Sequence, residues 1–342
     1  MDDAAFLGEL LSLYSPSGSE QQVANLLCER LADLGFRSYV DAAGNPVGEI
    51  GSGEREIVLL GHIDTVEGFI AVRREGDLLY GRGAVDAKGP MAAFILAAAR
   101  ARPRNLRLTV IGAVEEEAAS SRGARQAMQR PRPEFAIVGE PSGWAGITLG
   151  YKGRLWIHYS LVRPMRHSAG PGRSAPEDAV AFWNALQAAA TEFNQGKRPF
   201  DALDLSLRRI NSRADGFAER VEQLIALRVP VDFEVASFKS LVGELAGEAV
   251  CQFSNEDPAF RANKNNPLVR AFTAAIRAAG GEPRFKLKTG TSDMNVLGPV
   301  WDCPIVAYGP GDSSLDHTPN EHVSLAEFRR AVDVLAAVLE SL

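Results

Sequence analysis

The sequence predicts an α/β protein with a mainly parallel sheet, interrupted by an inserted α+β module. Three observations predict this fold. Strand and helix patterns alternate over the first 140 residues, the alternation returns near the end, and the middle reads β-α-β-β-α-β. Alternating strands and helices are typical of parallel sheets covered by helices, and the order in the middle is that of a ferredoxin-like module. A chain of 342 residues is long enough for about two such domains.

The first segment alternates short apolar runs with amphipathic stretches. A helix is expected over Ser19–Leu34, because apolar residues recur there at helical spacing and a glycine follows. Apolar runs bounded by turn residues predict strands, and an Ala- and Leu-rich stretch between the first two runs predicts a helix. These strands are Glu56–Leu60, Leu106–Val114 and Phe135–Val138, and the helix is Pro90–Arg100.

The middle of the chain reads as a short succession of strands and helices between two polar stretches. The polar stretches lie near Gly143–Gly150 and at Ser254–Asn266. Strands are expected at Arg154–Leu161, Leu205–Ile210, Leu224–Phe233 and Ala249–Phe253, and helices at Glu177–Phe193 and Glu234–Leu245.

The last part returns to the α/β pattern, with a helix expected at Pro267–Ala279 and a strand at Pro304–Tyr308. A final helix follows Ser324, where Ser324 and Glu327 predict a capping box. We therefore expect residues 1–150 and 258–342 to form two parts of one domain. Residues 151–257 are expected to form the inserted domain.

Composition excludes several classes of protein. The chain has 37 basic and 43 acidic residues and no basic cluster, which disfavours nucleic acid as a partner. The longest strongly apolar run, Met91–Ala99, is far shorter than the roughly 20 residues that span a membrane. The three cysteines are widely spaced, and the acidic start lacks the basic lead-in of a secretory signal. These features predict a soluble, cytoplasmic protein without a disulfide framework.

Histidine and acidic residues follow the predicted strands at their carboxyl ends. His62 and Asp64 are two positions apart in an extended segment, so they face the same way, and a neighbouring carboxylate is the usual partner of a metal-binding histidine. Asp86 lies in a glycine-rich turn, G-R-G-A-V-D-A-K-G, that opens a helix. A dinucleotide site is the alternative interpretation, but Asp86 replaces the third glycine and would repel a pyrophosphate.

The remaining strand ends continue the same pattern. Glu115, Glu116 and Glu117 follow one strand, Glu140 follows the next, and His317 comes after the last. Adjacent carboxylates repel one another, so a bound cation would relieve them. Carboxylate oxygens with imidazole nitrogens suit zinc or a similar divalent ion. There are more ligands than one tetrahedral ion needs, which predicts two ions that share a carboxylate.

Five motifs in this order, G-H-I-D-T-V, G-R-G-A-V-D-A-K-G, E-E-E-A-A-S-S-R-G, V-G-E-P-S and H-T-P-N-E, resemble the M20 metallopeptidase family across nearly the whole chain. The resemblance implies a di-zinc hydrolase domain with an inserted ferredoxin-like dimerisation domain, and hence a homodimer. It implies two zinc ions per chain, for which cobalt can substitute.

The resemblance also implies a role for each residue. The spacing to Gly123 favours Glu117 as a metal ligand and Glu116 as the general base, with Glu115 as the alternative base. Asp64 would orient His62, and His167 would reach across the dimer to stabilise the oxyanion. His158 and His322 are interpreted as structural. One ion would be bound by His62, Asp86 and Glu140, and the other by Asp86, Glu117 and His317.

The motif K-T-G-T-S-D-M-N, with G-Y-K-G-R at 150–154, resembles the branch of the family that releases lysine from an acidic amino-group carrier protein. Gly290, Thr291 and Ser292 would then contact a substrate carboxylate. One alternative is deacetylation of acetylornithine, a small N-acyl amino acid, in arginine biosynthesis. An alternative of a different class is a catalytically silent binding homologue, which the intact set of ligands disfavours.

Overall fold

This computed structural model describes residues 2–101, 105–167 and 169–342, and the chain divides into two compact units. The second unit comprises Tyr151–Phe260 and Lys288–Thr291, so most of it lies between segments of the first along the sequence. Among the described residues, no helix combines the length and apolar character needed to cross a membrane. The first unit comprises Met1–Gly150, Arg261–Leu287 and Ser292–Leu342.

The chain up to Tyr151 contains every helix and strand that its apolar pattern predicts, together with several short ones that the pattern does not reveal. Its helices are α1 (Asp3–Ser12), α2 (Gln21–Asp33), α3 (Lys88–Arg100) and α4 (Arg122–Ala127). Its strands are β1 (Arg37–Val40), β2 (Pro46–Ile50), β3 (Arg55–His62), β4 (Arg73–Glu75), β5 (Leu78–Tyr80), β6 (Leu106–Ala113), β7 (Phe135–Gly139) and β8 (Gly146–Tyr151).

The second unit has the predicted order of strands and helices. Its elements are β9 (Gly153–Pro164), α5 (Ala175–Phe193), β10 (Asp204–Ala214), β11 (Ala218–Val229), α6 (Val235–Ala246) and β12 (Val250–Asp257). The four strands form an antiparallel sheet in the order β10-β11-β9-β12. A core that includes Ile157, Phe182, Ile225 and Val242 packs both helices against this sheet. The expected continuation of β11 to Phe233 is wrong, because the strand ends at Val229, before Pro230.

Most of the rest of the chain belongs to the first unit. Its helices are α7 (Pro267–Ala278), α8 (Met294–Trp301) and α9 (Leu325–Ser341), and its strands are β13 (Phe260–Arg261), β14 (Arg284–Lys288), β15 (Ile305–Tyr308) and β16 (His322–Ser324). The capping box expected at α9 is only half formed. Ser324 Oγ accepts from the backbone N–H of Glu327, but the Glu327 carboxylate accepts from the amides of Trp144 and Gly311 instead.

The large sheet is mixed rather than mainly parallel. Its order is β1-β2-β6-β3-β7-β15-β8-β13, with β14 also paired to β8. The central strands β6, β3, β7 and β15 run parallel, and β1, β2 and β8 run antiparallel to their neighbours. The stretch Gly143–Gly150, interpreted as polar, contributes the buried strand β8. Since the parallel strands end at one edge, the residues that follow them are brought together there.

Candidate metal centre

The carboxyl ends of the central parallel strands place the predicted ligands at one edge of the sheet. His62 is the last residue of β3 and is 2% exposed. Glu140 follows β7 directly, and the register Gly61 to Gly139 sets the two strand ends side by side. The acidic run, Glu115 to Glu117, follows β6. His317 lies in the loop after β15, in a left-handed backbone conformation.

Asp86 lies between the two histidines. Its Oδ1 is 3.1 Å from His62 Nε2, and its Oδ2 is 3.0 Å from His317 Nε2. Glu117 Oε1 is 2.8 Å from the same nitrogen of His317. One potential ligand atom from each of His62, Asp86 and Glu117 lies within 4.8 Å of the others. Imidazole nitrogens and carboxylate oxygens at this spacing fit a divalent cation.

Asp64 fixes both the first histidine and the acidic run. His62 Nδ1 is 3.0 Å from the main-chain carbonyl oxygen of Asp64 and 3.5 Å from its Oδ1, so Nε2 is left to face Asp86. The buried Asp64 carboxylate accepts hydrogen bonds from the backbone amides of Glu116 and Glu117, each at 3.0 Å. It also accepts from Ser17 Oγ at 2.7 Å. Asp64 therefore determines where the two glutamates stand relative to His62.

The three consecutive glutamates have different surroundings. Glu115 Oε1 is 2.8 Å from Arg122 Nε, and its Oε2 accepts from Ser120 Oγ at 2.6 Å. Glu117 contacts His317. Burial raises the pKa of the Glu116 carboxyl well above its ordinary value; the charge of His62 lowers it, and that of Glu140 raises it again. Burial also raises the pKa of the Glu117 carboxyl, and its hydrogen bond with His317 opposes that shift.

Neighbouring carboxylates raise the pKa of both histidines. Hydrogen bonds with Asp86 and Glu117 raise the pKa of His317 to about 10. Burial alone would lower the pKa of His62, but its hydrogen bonds with Asp64 and Asp86 outweigh burial and raise it well above the ordinary value. The carboxylates around the two imidazoles thus favour their charged form.

The other predicted residues lie elsewhere in the chain. His167 belongs to the second unit and is exposed, and its Nδ1 accepts from the amide of Ala169 at 3.1 Å. Gly290 and Thr291 are also in the second unit, where Thr291 Oγ1 accepts from Arg228 Nη1 at 3.0 Å. Ser292 is in the first unit and buried; its Oγ accepts from the Met294 amide.

Sequence reasoning missed Ser17, which lies in the N-terminal stretch S-P-S-G-S-E, and Glu321, which ends the motif H-T-P-N-E. Both hydrogen-bond to the segments that carry the cluster. The only signal for Glu321 is its place in a motif already singled out. For Ser17 the signal is a polar, glycine-containing loop just before a helix.

Comparisons with known proteins find a matching family and several similar relatives. A model of the peptidase family M20/M25/M40 matches residues 58–341. The chain is 45% identical to a LysW-lysine hydrolase of Deinococcus radiodurans, over 98% of this chain and 95% of the relative. It is 40% identical to a putative LysW-lysine/LysW-ornithine hydrolase of Pyrococcus abyssi, over 98% and 93% of the two chains.

Solved structures share the fold at much lower identity. An M20 family metallo-carboxypeptidase of Sulfolobus solfataricus superposes with a TM-score of 0.79 at 17% identity and covers 99% of both chains. An aminopeptidase PepT of Bacillus cereus gives a TM-score of 0.78 at 18% identity and covers 99% and 97%.

Metal binding is predicted to release protons and to strengthen as the pH rises. A protonated histidine must lose its proton before it can bind a cation, so zinc binding should release protons near pH 7. Calorimetry in buffers of different ionisation enthalpy measures this release. His317→Asn should reduce it by about one proton, whereas the matched variant His322→Asn should not change it. Zinc affinity that is constant from about pH 6 to 8 would contradict histidine ligation.

Proposed function

The chain belongs to peptidase family M20/M25/M40, and we propose that it releases lysine from a biosynthetic precursor in which lysine is joined by an amide bond to the carrier protein LysW. It is a metal-dependent hydrolase of amide bonds. The observation that carries the proposal is the similarity, along almost the entire chain, to LysW-lysine hydrolases. Release of ornithine is the second candidate, because the archaeal relatives carry both amino acids in their names.

The proposed ligands form two sets that share Asp86. His62, Asp86 and Glu140 would hold one ion, and Asp86, Glu117 and His317 would hold the other. The contacts of both Asp86 oxygens with the two histidines support a bridging position for this carboxylate. Zinc suits such a set of nitrogen and oxygen donors, and cobalt is expected to replace it. Bound divalent metal supplies Lewis-acid chemistry, polarising an amide carbonyl and making a water acidic enough to lose a proton near neutral pH.

Glu116 is the proposed general base. Its carboxylate takes the proton of the attacking water, holds it because burial favours the neutral acid, and passes it to the nitrogen of the departing lysine. The Asp64 carboxylate fixes the Glu116 and Glu117 amides together, so the base keeps its place relative to a metal ligand. Proton transfer by a positioned base depends on such a fixed geometry.

Substitution Glu116→Gln should leave metal content unchanged and lower kcat by about 10²–10⁴-fold, because the amide cannot accept the proton. The matched control is Glu115→Gln, whose carboxylate is bound to Arg122 and Ser120 and should be dispensable for turnover. Metal analysis and steady-state kinetics on both variants decide whether Glu116 or Glu115 is the general base. Near-normal kcat in the Glu116 variant, with loss in the Glu115 variant, would reverse the assignment.

The second unit is proposed to mediate a homodimer and to supply His167 to the partner's site as a donor to the developing oxyanion. Exposure of His167 in its own chain is compatible with this role. Gly290, Thr291 and Ser292 are proposed to contact the substrate carboxylate. Thr291 Oγ1 already accepts from Arg228, so its hydroxyl hydrogen is free to be donated elsewhere. A cytoplasmic location is proposed as well.

Mixing two inactive variants tests the role of His167. His167→Ala and Glu116→Gln, each nearly inactive alone, should regain about a quarter of wild-type activity after subunit exchange, because half of the dimers then contain one complete site. Light scattering verifies the dimer. A fully active monomer, or no recovery from a mixture proven to contain hybrid dimers, would exclude a histidine supplied by the partner.

Substrate preference separates the candidate functions. We expect amine release to be faster from lysine linked to a carrier-type γ-glutamyl group than from α-acetyl-lysine, with the matched ornithine compounds as controls. The assay measures kcat/KM for all four compounds with zinc supplied. Preference for acetylornithine would leave the metal chemistry in place and move the enzyme to arginine biosynthesis.

A further inference from the structure

A buried ion pair adjoins the turn that carries Asp86. Arg82 Nη1 lies 2.9 Å from Glu321 Oε2, and the two side chains are 8% and 1% exposed. Neither residue belongs to the proposed metal ligands or to the proton-transfer machinery. Because burying two charges costs more free energy than most ion pairs recover, stability alone is a weak reason for this pair to exist.

The second oxygen of Glu321 is bonded to the Asp86 turn itself. Glu321 Oε1 accepts hydrogen bonds from the backbone amides of Val85 and Asp86, at 2.9 and 3.1 Å. Two bonds to consecutive amides fix the orientation of the peptide planes on which the Asp86 side chain is mounted. The direction of that side chain decides whether its two oxygens can meet two histidines at once.

Arg82 joins the same turn to the segment that carries His317. Its Nη1 donates to the carbonyl of Thr318, the residue after His317, at 3.2 Å. Its Nε donates to the carbonyl of Gly68 at 2.9 Å. The Gly81 amide donates to the carbonyl of Glu321, which adds a main-chain hydrogen bond between the same two segments. The two segments whose side chains meet at Asp86 and His317 are thus connected through one pair.

We propose that Glu321, paired with Arg82, is a positioning residue that holds the Asp86 carboxylate in its bridging place between His62 and His317. The inference rests on the proposed metal function, since a bridging place matters only if cations occupy both sides. Groups behind the ligands orient a metal site, and their loss typically lowers metal affinity about 10–100-fold. The substitution Glu321→Gln leaves one side-chain oxygen, which cannot accept from the two amides and from Arg82 at once.

The test compares two buried carboxylates in the full-length protein. Glu321→Gln should weaken cobalt binding about 10–100-fold, measured by chelator competition, and should change the visible spectrum of the bound ion. The matched control is Glu56→Gln at the start of β3. Glu56 is also buried and lies 3.1 Å from an arginine, Arg107, but it is at the opposite end of the strand from His62. This control should lose thermal stability and keep cobalt affinity.

Each outcome has a distinct meaning. If Glu321→Gln is less stable but binds cobalt as tightly as the wild type, the positioning role is wrong. If the wild type itself binds no cobalt or zinc, the proposed metal function fails, and this inference fails with it.

Should Glu321→Gln not fold, Arg82→Lys keeps the positive charge but loses the forked contacts to Gly68 and Thr318. We expect about tenfold weaker cobalt binding in that variant, and unchanged affinity would overturn the proposal.

Discussion

The concentration of carboxylates at one edge of the sheet is the constraint on which this structure depends. Asp64, Asp86, Glu116, Glu117 and Glu140 all follow or adjoin the central strands, where mutual repulsion opposes folding. Contacts with the same carboxylates raise the pKa of His62 and His317, so positive charge on the imidazoles offsets part of this repulsion.

Several loops at this edge are held by carboxylates that accept backbone amides, rather than by regular secondary structure. Asp64 binds two amides of the acidic run, Glu321 two of the Asp86 turn, and Glu327 those of Trp144 and Gly311. Charge-assisted hydrogen bonds of this kind are stronger than neutral ones and are directional. These hydrogen bonds fix the positions of the loop residues, and the ligands of a metal site need positions fixed in this way.

The fold of this chain is shared with enzymes that are named for different substrates. A carboxypeptidase and an aminopeptidase superpose on this chain at under a fifth identity, so a common fold carries different substrate preferences. The LysW-lysine hydrolase of Deinococcus radiodurans is related far more closely and over almost the whole length. The superposed structures therefore support the type of fold, and the proposed substrate rests on the relatives of higher identity.

The sequence by itself determined which residue types follow the strands, and hence the chemistry of the site, because apolar runs and the residues that end them are local patterns. It also determined the β-α-β-β-α-β order of the second unit. Only the tertiary structure showed that Glu115, unlike Glu116 and Glu117, contacts Arg122 and Ser120. It also showed that the Glu327 carboxylate accepts hydrogen bonds from two loops and does not complete a capping box. It alone brought Ser17 to Asp64 and Glu321 to the Asp86 turn, since partners far apart in sequence leave no periodic signal and meet only when the sheet and its loops are assembled.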